Sequence, residues 1–99
     1  MRYNFADDRP LIWLLRWTPT ARAHIAWHEV LPEEVEEVCV ASPIVIATYA
    51  GRLKLIGPTS AGRILTVILE PLEEEEWWYL VTARPSHRKE RMEYFEERT

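Results

Sequence analysis

The chain has 99 residues, 47% of them hydrophobic and 28% charged, with five tryptophans and a net charge of −4. That length suits one domain over residues 1–99, and that composition excludes a disordered chain. The negative balance excludes a general polyanion binder, which carries a surplus of Lys and Arg, so any anion site must be local.

The opening "MRYNFADDRP" has no apolar run that could act as a signal peptide, and no stretch approaches membrane-spanning length, so the expected setting is the cytoplasm with no membrane partner. "PLIWLLRWT" is rich in strand formers and predicts a short first strand, with a helical turn as the alternative at Leu14 and Leu15. Thr18-Pro19 then reads as a helix start, the hydroxyl capping and the proline filling the first turn. Ala21, Ile25 and His28 recur at helical spacing and carry that helix to about His28.

A second helix starts at Leu31-Pro32, where Glu33 and Glu34 suit the positive end of the dipole and Val35, Val38 and Cys39 form an apolar face. Cys39 is the single cysteine, so it has no internal disulfide partner and reads as a small buried hydrophobe. From Ser42 the period becomes that of strands: "PIVIATY" and "GRLKLIG" flank a tight turn at Ala50-Gly51. "RILTVILE" is almost wholly apolar and predicts a central strand covered on both faces. "WWYLVTAR" follows a Glu-rich turn, and Trp77 and Trp78 must point to opposite faces, so at most one belongs to the core. Ser86 is the expected cap of a last helix, with Met92 and Phe95 as its buried pair. The order of elements gives an α+β domain: a small antiparallel sheet with helices near the N-terminus and one C-terminal helix.

Charge on that last helix runs backwards. Arg88, Lys89 and Arg91 crowd its positive end and Glu93, Glu96 and Glu97 its negative end, each misplacement costing about 0.3 to 1 kcal/mol. One reading gathers Arg84, Arg88 and Lys89 around an anion; the other leaves them solvated, some pairing with Glu90 or Glu93. Arg84 ends a strand, where its fork can hold a phosphate bidentately. Arg52, Lys54 and Arg63 lie on neighbouring strands and extend a basic patch only if their faces coincide.

His24 and His28 are one helical turn apart, but the metalloprotease pattern needs a glutamate where Ile25 stands, and no third ligand is in view. No metal and no cofactor is therefore expected, and a metal enzyme built on these histidines is a distant third reading. His28 is a candidate proton shuttle. No nucleophile elbow and no phosphate-binding glycine loop is present among three glycines.

Three stretches, "RWTPTARAHIAWHEVLPEEVEEVC", "GRLKLIGPTSAGRILTVILEP" and "YLVTARPSHRKERMEYFE", resemble the BrnT-like toxin family over residues 16 to 95. The terminal match is the more specific: Ala83, Arg84, Glu90, Arg91 and Tyr94 stand at the spacing of the family's "S-A-R-x-A-x-x-x-E-R-x-x-Y". The helix match, looser, rests on His28-Glu29-Val30 with Glu33, Glu34, Glu37 and Val38. Trp27 stands where the family usually carries a basic residue, and Glu29 where it carries a glycine.

The resemblance implies a RelE-like fold and a metal-independent ribonuclease that drives a ribose 2′-OH onto the adjacent phosphate. It also implies an antitoxin partner, a DNA-binding protein encoded nearby, RNA as substrate, and a possible homodimer. On this reading Arg84 is the charge clamp, with Arg63 or Arg52 a second, Glu37 or His28 carries a proton, and Arg52, Lys54, Arg88 and Lys89 hold phosphates. The alternative is a catalytically degenerate member that recognises a protein partner through its exposed aromatic and acidic surfaces.

Overall fold

The computed structural model describes residues 13–74 and 76–97. Its elements run β1 (Leu14–Arg16), α1 (Pro19–Trp27), α2 (Pro32–Val40), β2 (Ile44–Ala47), a 3-10 turn (Tyr49–Gly51), β3 (Leu53–Pro58), β4 (Ile64–Pro71), β5 (Trp77–Pro85) and α3 (Arg88–Glu97). The strands form one sheet in the order β1-β5-β4-β3-β2. The α+β class holds, and the second to fifth strands pair antiparallel as expected. The one difference is β1, which runs parallel to β5 and makes the sheet mixed. After β1 the chain passes through two helices to β2 at the far edge and returns by way of β3 and β4 to β5, the long connection that a parallel pair requires.

Local sequence explains most of the boundaries. Thr18 caps α1 by accepting the Ala21 N–H at 3.0 Å, with Pro19 in the first turn. The helix ends in a Schellman motif: Val30 N–H donates to Ile25 O and Glu29 N–H to Ala26 O, both at 2.9 Å. Glu29 adopts the left-handed φ of 58° that this motif demands. Ala50 and Gly51 both take positive φ, as the predicted tight turn between β2 and β3 requires.

Helices α1 and α2 cover one face of the sheet, α1 over β5 and α2 over β3 and β4. Ile25, Val35 and Val38 meet Leu55, Val67 and Leu69 there, all fully buried, and Cys39 joins them as the expected small hydrophobe. Trp78 packs against this core and meets Trp13 edge to face, whereas Trp77 carries Arg16 over its ring at 5.3 Å. The central strand β4 is covered on both faces only where α3 reaches it: Thr66 is fully buried, but Ile68 on the same face is half-buried.

Helix α3 lies on the opposite face, against β3. Two expectations fail on it. Met92 and Phe95 are 50% and 55% exposed, and the buried pair is Glu90 and Tyr94, four residues apart. The surface under α3 offers charge partners, so the helix turns its carboxylate inward and its apolar pair outward. Ser86 is buried with its hydroxyl 2.8 Å from Thr66 Oγ1, and Glu90 closes the first turn instead by accepting the His87 N–H at 2.8 Å. No helix among the described residues is long and apolar enough to cross a membrane.

Candidate functional site

The residues picked out by sequence fall into three groups. The first lies under the start of α3. Register pairs Ile56, Thr66 and Arg84 across β3, β4 and β5, on the face away from the core, with Lys54 two residues along β3. Glu90 descends from α3 onto this row. Arg84 grips it end-on, Nη1 donating to Oε1 at 2.7 Å and Nη2 to Oε2 at 3.0 Å, and Lys54 Nζ approaches Oε2 at 3.4 Å.

Glu90 is 5% exposed, yet its carboxyl is held down at about 2. Burial is the largest influence and acts upward. It is outweighed by the Arg84 hydrogen bonds, the His87 N–H, the Arg84 charge and the Thr66 hydroxyl together. The carboxylate is therefore ionised and shared by two cations. Arg91 serves the same joint from the other side, its Nη1 donating to Ser86 O at 2.6 Å. Arg88 and Lys89 stay exposed on the first turn of α3.

This arrangement settles much of the backward charge pattern. Arg84 and Arg91 answer to partners inside the fold, and Glu90 places a negative group in the first turn where the dipole favours one. The cluster still carries one uncompensated positive charge from Arg84 and Lys54, with Arg88 and Lys89 beside it. Arg84 also keeps donors in reserve. A guanidinium has five N–H groups, and an end-on carboxylate leaves the Nε–Nη2 edge free for a second acceptor.

The second group forms the corner between α1, α2 and the β3–β4 turn, on the opposite face. Arg63 Nη1 donates to Glu29 O at 2.9 Å and to both Glu34 oxygens at 3.2 and 3.3 Å. Glu34 also accepts the Leu31 N–H at 3.0 Å, which fixes the start of α2. Glu37 accepts the Ser60 N–H at 3.1 Å, and half-buried His28 ends α1 next to Glu29. Three of the four candidate catalytic residues, His28, Glu37 and Arg63, thus share one corner, and Arg84 lies across the sheet from them. Ser86 N–H donates to Ile64 O at 3.0 Å, so the end of β5 that follows Arg84 runs beside the start of β4 that follows Arg63.

Arg52 stands apart. It bonds Glu70 at 3.2 Å through Nε and Nη2 and covers the Tyr49 ring, four residues along β3 from the Arg84 row, roughly 13 Å away. A shallow cleft of about 280 Å³ opens there, lined in part by Thr18, His24, Arg52 and Tyr79. Among the described residues no cluster of three His, Cys, Asp or Glu could hold a metal ion.

Sequence reading missed the central role of Glu90, because Ser86 offered itself as the cap and masked the signal. A glutamate three residues after the true cap, His87, is the acidic half of a capping box.

No family model and no curated protein matches the chain. Among solved structures, the crystal structure of the Brucella abortus ribonuclease toxin BrnT is similar, with 25% identity and a TM-score of 0.59. The match covers 76% of this chain and 99% of that one. The expectation drawn from the terminal "TARPSHRKERMEY" stretch is met at the level of structure: this chain has the α+β fold of a BrnT-like toxin.

Proposed function

We propose that the chain is a RelE-like, BrnT-like toxin, a cytoplasmic ribonuclease that needs no metal and is silenced by an antitoxin. The observation that carries this reading is the fold similarity, which extends over 99% of a ribonuclease toxin. The residues supply the required chemistry. A base takes the proton from the 2′-OH, the 2′-oxygen bonds to phosphorus, the bond to the 5′-oxygen breaks, and an acid protonates that leaving oxygen. Arg84 and Lys54 face the developing phosphorane charge, and Arg88 and Lys89 hold flanking phosphates. On this reading His28 and Glu37 are the proton carriers.

A specific observation also favours protein recognition. Trp27 is 83% exposed and Leu31 60% exposed, beside Glu29 and Glu33. Exposed apolar side chains close in sequence to exposed acids suit a basic, partly apolar partner segment, and the antitoxin is the partner this reading assigns to them. The same surface serves a degenerate member that binds without cleaving.

The test is cleavage of a generic single-stranded RNA by the purified chain with a chelator present, beside Arg84→Ala. Activity that survives chelation and disappears in the variant supports the toxin. No cleavage by either protein, with harmless expression in a bacterial host, moves the assignment to the binding module.

A further inference from the structure

The geometry points to Glu90 as a positioning residue of the RNA site: its buried carboxylate aims Arg84 so that the free Nε–Nη2 edge, with Lys54 beside it, meets the scissile phosphate. This rests on the ribonuclease reading above and adds to it a residue that never touches RNA.

Glu90 takes the Nη1–Nη2 end of the guanidinium through two hydrogen bonds of 2.7 and 3.0 Å, which fixes the plane of the group as well as its place. The carboxylate is itself fixed, by the His87 N–H at 2.8 Å and by Lys54 Nζ at 3.4 Å. Arg84 ends β5, where the backbone is held by its pairing with β4. Every rotation that could misdirect the fork is therefore restrained, while 23% of the Arg84 side chain and 23% of the Lys54 side chain remain open to solvent. The result is a braced, partly exposed guanidinium whose Nε and second Nη2 hydrogen are not used by Glu90, which is what bidentate phosphate recognition needs.

The carboxylate also has a cost for binding, because it is an anion close to where a phosphate must sit. Aim and attraction are thus opposed in one residue, and this separates a positioning role from a purely structural one. Removing the charge while keeping the shape tightens RNA binding and slows the reaction.

The experiment uses the full chain and a short fluorescein-labelled single-stranded RNA, with anisotropy for affinity and single-turnover cleavage for rate. The variants are Glu90→Gln and Arg84→Lys, each checked by thermal melting. For Glu90→Gln the expected result is affinity tightened severalfold and a rate lowered about a hundredfold, the scale of a small misplacement of a reacting group. Arg84→Lys keeps the charge but has no planar edge, so it retains binding and loses a comparable share of rate.

A Glu90→Gln chain that cleaves like the parent overturns the positioning role. So does one whose affinity and rate fall together with its melting temperature, since that is the mark of a structural group. A parent chain that neither binds nor cleaves the RNA overturns the ribonuclease reading itself, and the inference with it.

Discussion

Arg84 and Glu90 form a two-bond ion pair, 2.7 and 3.0 Å, that fastens the end of β5 to the first turn of α3. Glu90 is 5% exposed, and its carboxyl is lowered from 4.5 to about 2. Its contribution is therefore complete above the unfolded value near 4.5 and is lost as pH falls toward 2. That loss is on the order of 3 kcal/mol. Urea unfolding followed between pH 4.5 and 2 measures it, and the difference between the parent and Glu90→Gln isolates it from other carboxylates. Equal acid sensitivity in the two proteins contradicts the assignment. Glu90→Ala leaves Arg84 and Lys54 without their carboxylate and is expected to cost about 3–5 kcal/mol at neutral pH.

Glu29→Gly is expected to stabilise the chain. Glu29 sits at φ 58° beyond the end of α1, in a conformation costing a side chain about 1 kcal/mol or more, and glycine enters it freely. The resembling family carries glycine here, and the Schellman hydrogen bonds supply the physical reason. A gain of about 1 kcal/mol raises the melting temperature of a domain this size by roughly 4–8 °C. A melting temperature unchanged or lowered shows that the glutamate makes a compensating interaction.

What could be read in the sequence followed from short-range rules. The Thr18 cap, the tight turn at Ala50-Gly51 and the divided loyalty of Trp77 and Trp78 each depend on a few adjacent residues, and each appears as expected. The misses are long-range. The parallel pairing of Leu14–Arg16 with Trp77–Tyr79 leaves no local trace. Neither does the register slip between Ile68 and Leu69, which leaves Val81 without a partner on β4 and its carbonyl 3.4 Å from His24 Nδ1. Met92 and Phe95 looked like a buried pair because helical spacing ranks apolarity alone, and the ground under α3 holds Arg84 and Lys54. The sharing of His28, Glu37 and Arg63 by one corner and the isolation of Arg52 likewise depend on register and helix placement.

Cys39 is expected to be chemically silent until the chain unfolds. Burial, and secondarily the negative charge of Glu36, push its thiol up to about 12, so almost no thiolate exists at neutral pH. Iodoacetamide should leave the native protein unlabelled over hours and label it fully in denaturant. Labelling of the native chain at the rate of a free thiol shows that the α2 face opens readily.

Arg63 and Arg84 both entered as candidate charge clamps, and their surroundings separate them. Arg63 spends its Nη1 on Glu29 O and on both oxygens of Glu34, tying the α1–α2 corner to β4. Its loss should be felt first as stability, about 1–2 kcal/mol for charge-assisted hydrogen bonds at a partly exposed site. Arg84 is braced by Glu90 at one end and keeps an open edge at the other. Its replacement by alanine should lower the cleavage rate of the folded protein by about 10² to 10³, the loss seen when one donor to a developing oxyanion is removed. Urea titrations and single-turnover cleavage of Arg63→Ala and Arg84→Ala, compared at temperatures where both are folded, decide between them. A rate loss in Arg63→Ala as large as that in Arg84→Ala transfers the phosphate site to the corner with His28 and Glu37.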